Sequence, residues 1–293
     1  MWSTGPVVIR VADGRSRVIR EIRAAAPLLA DLAAPVPARG PWLTAALNTQ
    51  TARPLGRSRP RAVLVEQHQP GRLDGAALLS FRRRGLGTGL ATAVTLLGGD
   101  VGPLPQGLPP ARLYARDDDV ARRLAAGVTK LLDALRGPWT LRLTGLPLGD
   151  PTVRYLAAAM PDSSLSTTRS RRLVDELDTV ADVRRTRDPA AIDQLLPAVL
   201  ARLPERQRAF VRAAIRVHAA IDQLEAAVVP ASGGPAAVLL TLLDRRPDGT
   251  EHRWPWWGSS DVGGLRRELG SPSVALTASA GLTRLARRGA ARP

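Results

Sequence analysis

Within the 293 residues of the chain, three stretches carry side chains whose type and spacing could do chemistry. The first, "RWPWWGSSDVGG" (253–264), sets Trp254, Trp256 and Trp257 beside a run of small donors. Gly258, Ser259, Ser260, Gly263 and Gly264 can offer amide and hydroxyl hydrogens, and Arg266 and Arg267 add positive charge. Because a helix is expected over 261–269, this is the donor-rich entry that lets a helix N-terminus hold an anion. A capped helix with a glycine-rich lead-in accounts for the same residues, with Asp261 as its N-cap. The second stretch, "HAAID", carries His218, a residue type that serves as a general base, four residues before Asp222. A histidine packed at a helix end is the plainer alternative. In the third, "RRRGLGTGL" (82–90), Arg-to-Gly spacing fits a phosphate loop, but the β-branched, glycine-ended stretch beyond it favours a hairpin.

Other chemistry is easier to set aside. The chain has no cysteine, which excludes disulfides, thiolate catalysis and Cys-ligated metal. Its three histidines, His68, His218 and His252, form no ligand pair, so no metal site is expected. Asp117 and Asp119 imitate a metal-binding Asp-x-Asp, yet acids at a helix start serve the N-cap and the helix dipole. No Ser–His–Asp set can be assembled.

The net charge of +16 is carried almost wholly by arginine, since Lys130 is the sole lysine. A chain rich also in Ala, Gly, Pro and Leu acquires such arginines from composition bias, as a solvated surface and not a binding face. After Glu268 no acid occurs, while Arg284, Arg287, Arg288 and Arg292 do. An Arg-rich nucleic-acid-associated protein is therefore a third reading, with nucleic acid an unfavoured partner. No apolar run is long enough to span a bilayer and no secretory leader is legible, so a cytoplasmic, soluble protein is expected.

Hydrophobic periodicity gives a mixed α/β chain. A strand at 6–12 precedes a helix from about 15 to 33 and a second helix at "WLTAALNTQ". Three strands come next ("RAVLVEQ", "GAALLSFRRR", "TAVTLLGG"), then a helix from Asp117 to Arg136, the strand "WTLRLTGL", and a helix capped by Asp150. The order then restarts. "RRLVDEL" is a strand, "DPAAIDQLLPAVLARL" and "PERQRAFVRAAIRVHAAI" are helices, and "DQLEAAVV", "AAVLLTLLD" and "HRWPWW" form a meander. A short helix at 261–269, the strand "SVALTA" and a basic terminal helix "LTRLARR" complete the repeat.

This doubled order, with the phrases "WLTAAL", "VTLLGG" and "WTLRLTGLPLGD", resembles the GNAT acyltransferase superfamily in its tandem, FemAB-like form. The resemblance implies two tandem GNAT-like domains, 1–162 and 163–293, each a mostly antiparallel mixed sheet flanked by helices. It also implies an N-acyltransferase that uses acyl-CoA as co-substrate, with a small-molecule or peptide amine as acceptor and a homodimer allowed for. In that superfamily the turn after the fourth strand binds the pyrophosphate through backbone amides. The matching turn in the first half, "ARDDDVARR", bears three carboxylates and would repel it, so the first copy is degenerate. In the second half the resemblance assigns that role to Gly258, Ser259, Ser260, Gly263, Gly264 and Arg266. Trp254, Trp256 and Trp257 would then wall the substrate cleft, or else pack the two domains together. Strand alternation puts Trp254 and Trp256 on one face and Trp257 on the other, with Pro255 marking an edge or bulge. The resemblance makes Glu225, or a water, the base for the amine, and His218 of "HAAID" is a second candidate. Loss of both standard phosphate motifs leaves room for a non-catalytic GNAT-fold binding or scaffold protein.

Overall fold

A computed structural model describes residues 7–51, 58–66, 71–86, 89–99, 101–104, 113–245 and 249–281. The terminal basic helix expected at "LTRLARR" lies outside the described residues, as does most of the "RRPDG" turn.

The elements of the first half keep the expected order. β1 (Val8–Asp13) leads into α1 (Arg15–Ala24) and α2 (Ala26–Asp31), then α3 (Gly40–Thr51). The single helix expected over 15–33 is broken at Ala25, with Pro27 in the first turn of α2. There the missing N–H of proline costs nothing. β2 (Ser58–Glu66), β3 (Gly75–Leu86) and β4 (Gly89–Leu96) form the meander, and β5 (Tyr114–Ala115) adds a short bridge to β3. Leu86 pairs with Gly89, so "RRRGLGTGL" is a hairpin and not a phosphate loop. α4 (Asp118–Asp133), β6 (Trp139–Pro147) and α5 (Pro151–Ala159) complete this half. Asp117 accepts from the Val120 amide at 2.8 Å and Asp150 from that of Val153 at 3.1 Å, the N-caps read from the sequence.

In the second half, β7 (Ser164–Asp175) and β8 (Arg184–Thr186) precede α6 (Pro189–Ala201) and α7 (Glu205–Ala220). β9 (Leu224–Val229), β10 (Ala237–Arg245) and β11 (Glu251–Ser260) are the second meander, and β12 (Leu265–Ala280) is the last described strand.

The fold is mixed α/β, with two sheets. The larger runs β1-β2-β3-β4-β6-β12-β7 and is antiparallel except for β4 beside β6, which pair in parallel. The smaller, β11-β10-β9-β8, is antiparallel throughout. The sheets do not divide at residue 162: β7 and β12 both belong to the larger one, with β12 inserted between β6 and β7.

One buried cluster joins the larger sheet to α1, α2, α4 and α5 and to Leu43 and Leu47 of α3. A second lies between α6, α7 and the smaller sheet, and it takes in Trp42, Ala45 and Ala46 of α3. α3 therefore faces both cores. No helix among the described residues is long and apolar enough to cross a membrane.

Candidate functional site

β11 is the edge strand of the smaller sheet, the position where a proline without an N–H is tolerated. Thr241 opposes Pro255 while the next residue back, Leu240, opposes Trp257, so Trp256 is the extra residue of a bulge. The bulge overrides simple alternation. All three tryptophans meet the same core instead of dividing between two faces.

Their roles then separate. Trp256 is 2 % exposed and its ring stands edge-on to Trp42, centroids 5.2 Å apart. Its indole Nε1 donates to the Pro103 carbonyl at 2.7 Å. Trp42 in turn stands edge-on to Phe210 at 5.0 Å. The chain leaving β4 crosses this stack at Gly102, where a Cβ would fall 2.3 Å from the Phe210 ring. Trp256 is thus a peg within the second core, seated against α3, with no face left for a substrate. Trp254 is half-buried, and with Pro255 it lines a groove of about 680 Å³ between β11 and the β7–β12 ribbon. Arg172, Asp175, Arg253 and Leu269 complete its walls.

The turn beyond β11 differs from expectation. No helix forms over 261–269: β11 ends at Ser260, a bend covers 261–263, and β12 begins at Leu265. Hence no helix dipole points at an anion here. Gly258, Ser259 and Ser260 lie in the ladder opposite Leu239, Val238 and Ala237. The Asp261 amide donates to the Ala236 carbonyl at 2.9 Å and that of Val262 to Ser260 Oγ at 3.2 Å, while Ser260 Oγ donates to the Gly263 carbonyl. Asp261 pairs with Arg202 at 3.1 Å, and Arg266 with Glu176 at 2.7 Å. Gly263 and Gly264, at φ +85° and +75°, complete a tight connection whose purpose is geometric. Most donors that would meet a pyrophosphate are already engaged.

Glu225, on β9, is 5 % exposed and is tied to the groove through Arg253. Arg253 reaches it through Nη1 at 3.0 Å, with Arg185 at 3.4 Å and Arg187 at 3.5 Å. Burial pushes its pKa up, but the Arg253 hydrogen bond and the charges of Arg253 and Arg185 outweigh burial and hold it below the ordinary carboxylate value. A carboxylate so held is a weak proton acceptor. His218 is fully buried, with Nδ1 3.2 Å from Gln223 Oε1 and Nε2 without a hydrogen-bond partner. Burial lowers its pKa to about 4, against which the Gln223 contact acts only weakly. Its ring neighbours Trp42, centroids 6.0 Å apart. Asp222, the partner implied by "HAAID", bonds Arg245 instead and terminates the helix at φ +53°. His218 and Asp222 thus have different partners.

The structure therefore places Trp254 and Arg253 at one groove, with Glu225 bonded to Arg253, and places His218, Trp256 and the 258–266 turn elsewhere. Sequence reasoning missed Arg172, Arg253 and Asp175 at the groove, because they are three among many charged residues until β7 is folded against β11. It also missed a cavity of about 650 Å³ between α1–α2 and the end of β10, walled by Ile22, Ala26, Leu29 and Pro41. The ion pair of Arg39 with the buried Asp244, at 2.8 Å, lies there. A carboxylate closing the apolar strand "AVLLTLLD" was the one signal of it in the sequence. Among the described residues no group of three or more His, Asp or Glu is disposed to hold a metal ion.

No family model matches the chain, and no curated protein does. Solved structures do. The neighbours include a tandem GNAT protein. That protein, from the clavulanic acid biosynthesis pathway, is 14 % identical over 94 % of this chain and 99 % of its own, with a TM-score of 0.39. A conserved protein of unknown function from Bacteroides thetaiotaomicron VPI-5482 is 13 % identical over 92 % of this chain and 99 % of its own, with a TM-score of 0.42. A probable N-acyltransferase from Enterococcus faecalis V583 is 9 % identical over 92 % of this chain and 72 % of its own, at 0.37. Likenesses this distant carry no argument about chemistry, which has to come from the chain's own groove and strand order.

Proposed function

We propose that the chain is an acyl-CoA-binding protein of the N-acyltransferase kind, and that the groove beside β11 is where it takes its ligand. The observation that supports this most is the Trp254–Pro255 edge of β11, flanked by Arg172 and Arg253 and standing apart from β7. An indole beside guanidinium groups in a groove of about 680 Å³ suits an organic ligand with anionic groups. Transfer to an amine would proceed by direct attack on the thioester carbon: the C–N bond forms as the C–S bond breaks, the amine gives up its proton to water, and CoA leaves as a thiolate that takes up a proton to become the free thiol. The internally bonded turn at 258–266 is left out of the groove's role.

A second reading, a binding or scaffold protein without catalysis, draws support from Glu225. Three arginines hold this carboxylate, and Asp175, the carboxylate in the groove wall, is itself paired with Arg185 at 2.9 Å. The two readings share the ligand and differ in turnover. Acetyl-CoA and longer acyl-CoAs should raise the melting temperature of the full chain, and Trp254→Ala should remove the rise without lowering the melting temperature of the free protein by more than a few degrees. A flat response to every acyl-CoA sinks both readings. Thiol release from acyl-CoA in the presence of an amine panel then separates them: turnover above the rate without protein favours the enzyme, binding without turnover the scaffold.

A further inference from the structure

The groove at the far end of the larger sheet has a different chemistry. Arg59 and Arg61 of β2, Phe81 and Arg83 of β3, Thr92 of β4 and Arg136 beyond α4 surround a space of about 520 Å³. Register explains the convergence. Arg59 opposes Phe81 and Arg83 opposes Thr92, and steps of two along each strand keep these side chains on one face. The Arg61 guanidinium lies 4.9 Å from the centroid of the Phe81 ring, which fixes its plane. Arg61 Nε is buried and has no hydrogen-bond acceptor.

Composition bias scatters arginines, but in this fold many are answered by acids: Arg10 by Glu21 and Glu66, Arg116 by Asp31 and Asp74, Arg185 by Asp175. Here no carboxylate lines the groove. The acid that reaches toward it is Asp13, which pairs with Arg61 at 3.1 Å. Arg59, Arg83 and Arg136 enter no ion pair among the described residues. Guanidinium groups gathered in a concavity repel one another and leave a positive potential that a multivalent anion relieves. Their planar forks match phosphate oxygens two at a time.

We propose that this groove binds a small molecule carrying clustered phosphates, at a site separate from the β11 groove. The arginines come from three segments of chain and close on one concavity, the arrangement for a compact ligand. Nucleic acid would instead need a track along the surface.

Titration calorimetry of the full chain with inorganic pyrophosphate tests this. Saturable binding at one site is expected, weakened at least tenfold in Arg59→Ala/Arg136→Ala and in Arg61→Gln. It should be unchanged in Arg17→Ala/Arg20→Ala, which removes equal charge from α1, and in Trp254→Ala. ADP binding that is lost in Arg59→Ala/Arg136→Ala and kept in Trp254→Ala, where adenosine does not bind, would assign the ligand to nucleotides, and pyrophosphate binding without ADP binding to inorganic phosphates; both support the site. The proposal is overturned by absence of saturable binding, by equal weakening in the α1 variant, by loss in Trp254→Ala, or by a short DNA duplex that displaces pyrophosphate more effectively than ADP does. Because Arg59 and Arg136 are exposed, the double variant should retain the wild-type melting curve.

Discussion

At the scale of single residues, burial decides what a titratable group can do. His218 has a motif-like spacing to Asp222, yet the fold seals it beside Trp42 and Gln223 and lowers its pKa from 6.5 to about 4. Above pH 6.5 the histidine is neutral in both folded and unfolded chains and no stability is lost. Between 6.5 and about 4 the unfolded chain takes up a proton that the folded chain refuses, so stability falls, by about 3 kcal/mol at the limit. Urea unfolding at pH 7 and about pH 4.5 should show most of this loss, and His218→Leu should remove most of the difference between the two. Glu225 acts in the same direction but at lower pH: its folded pKa is depressed, so its contribution is present above the ordinary carboxylate value and is lost as pH falls through the depressed one. An unchanged wild-type stability between pH 7 and about pH 4.5 would show that His218 is not sealed.

At the scale of elements, two adjacent glycines make different demands. Both Gly263 and Gly264 have positive φ, a conformation that costs other residues about 1 kcal/mol. A Cβ on Gly263 meets open space, whereas one on Gly264 would lie 2.6 Å from Val180 and 2.9 Å from the Leu177 backbone. Gly263→Ala should therefore cost about 1 kcal/mol and Gly264→Ala roughly 3 kcal/mol, by urea denaturation, because overlap with backbone adds to the torsional strain. Equal losses would mean that the turn is looser than its contacts indicate. On the preceding strand, removing the Trp256 peg by Trp256→Ala should cost roughly 3–5 kcal/mol, read from the same unfolding curves, since it opens a cavity in the second core against α3. Trp254→Ala, at the half-buried rim, should cost much less. These contrasts separate packing from binding within one tryptophan cluster.

At the scale of the whole molecule, the halves are tied by strand exchange as well as by contact. β7 is paired with β12 alone, and β12 fills the place between β6 and β7. A chain ending at Gly264 would leave β7 without its ladder and β6 with an open apolar edge, including Leu141 and Leu143. Such a chain should fail to give a monodisperse folded species by size exclusion and circular dichroism, while a chain ending at Gly281 should fold. If the shorter chain folds with wild-type stability, the exchanged strand is dispensable and the two halves are independent.

Local signals were enough to read the mixed α/β class, nearly every helix and strand through β11, the Asp117 and Asp150 caps, the hairpin at 82–90 and the edge position of Pro255. Hydrophobic period, caps and proline set these features, and all of them act within a few residues. The same signals misread 261–269 as a helix, because Leu265 and Leu269 are spaced like one turn of it. The segment is a strand because β7 offers it a ladder, with Arg172 and Glu268 paired across at 2.7 Å. Long-range pairing likewise sent Trp256 into the core, tied Glu225 to three arginines, and gathered Arg59, Arg61, Arg83 and Arg136 into one groove. Those outcomes belong to the folded chain alone, because partners distant in sequence leave no mark on local periodicity until the strands bring them together.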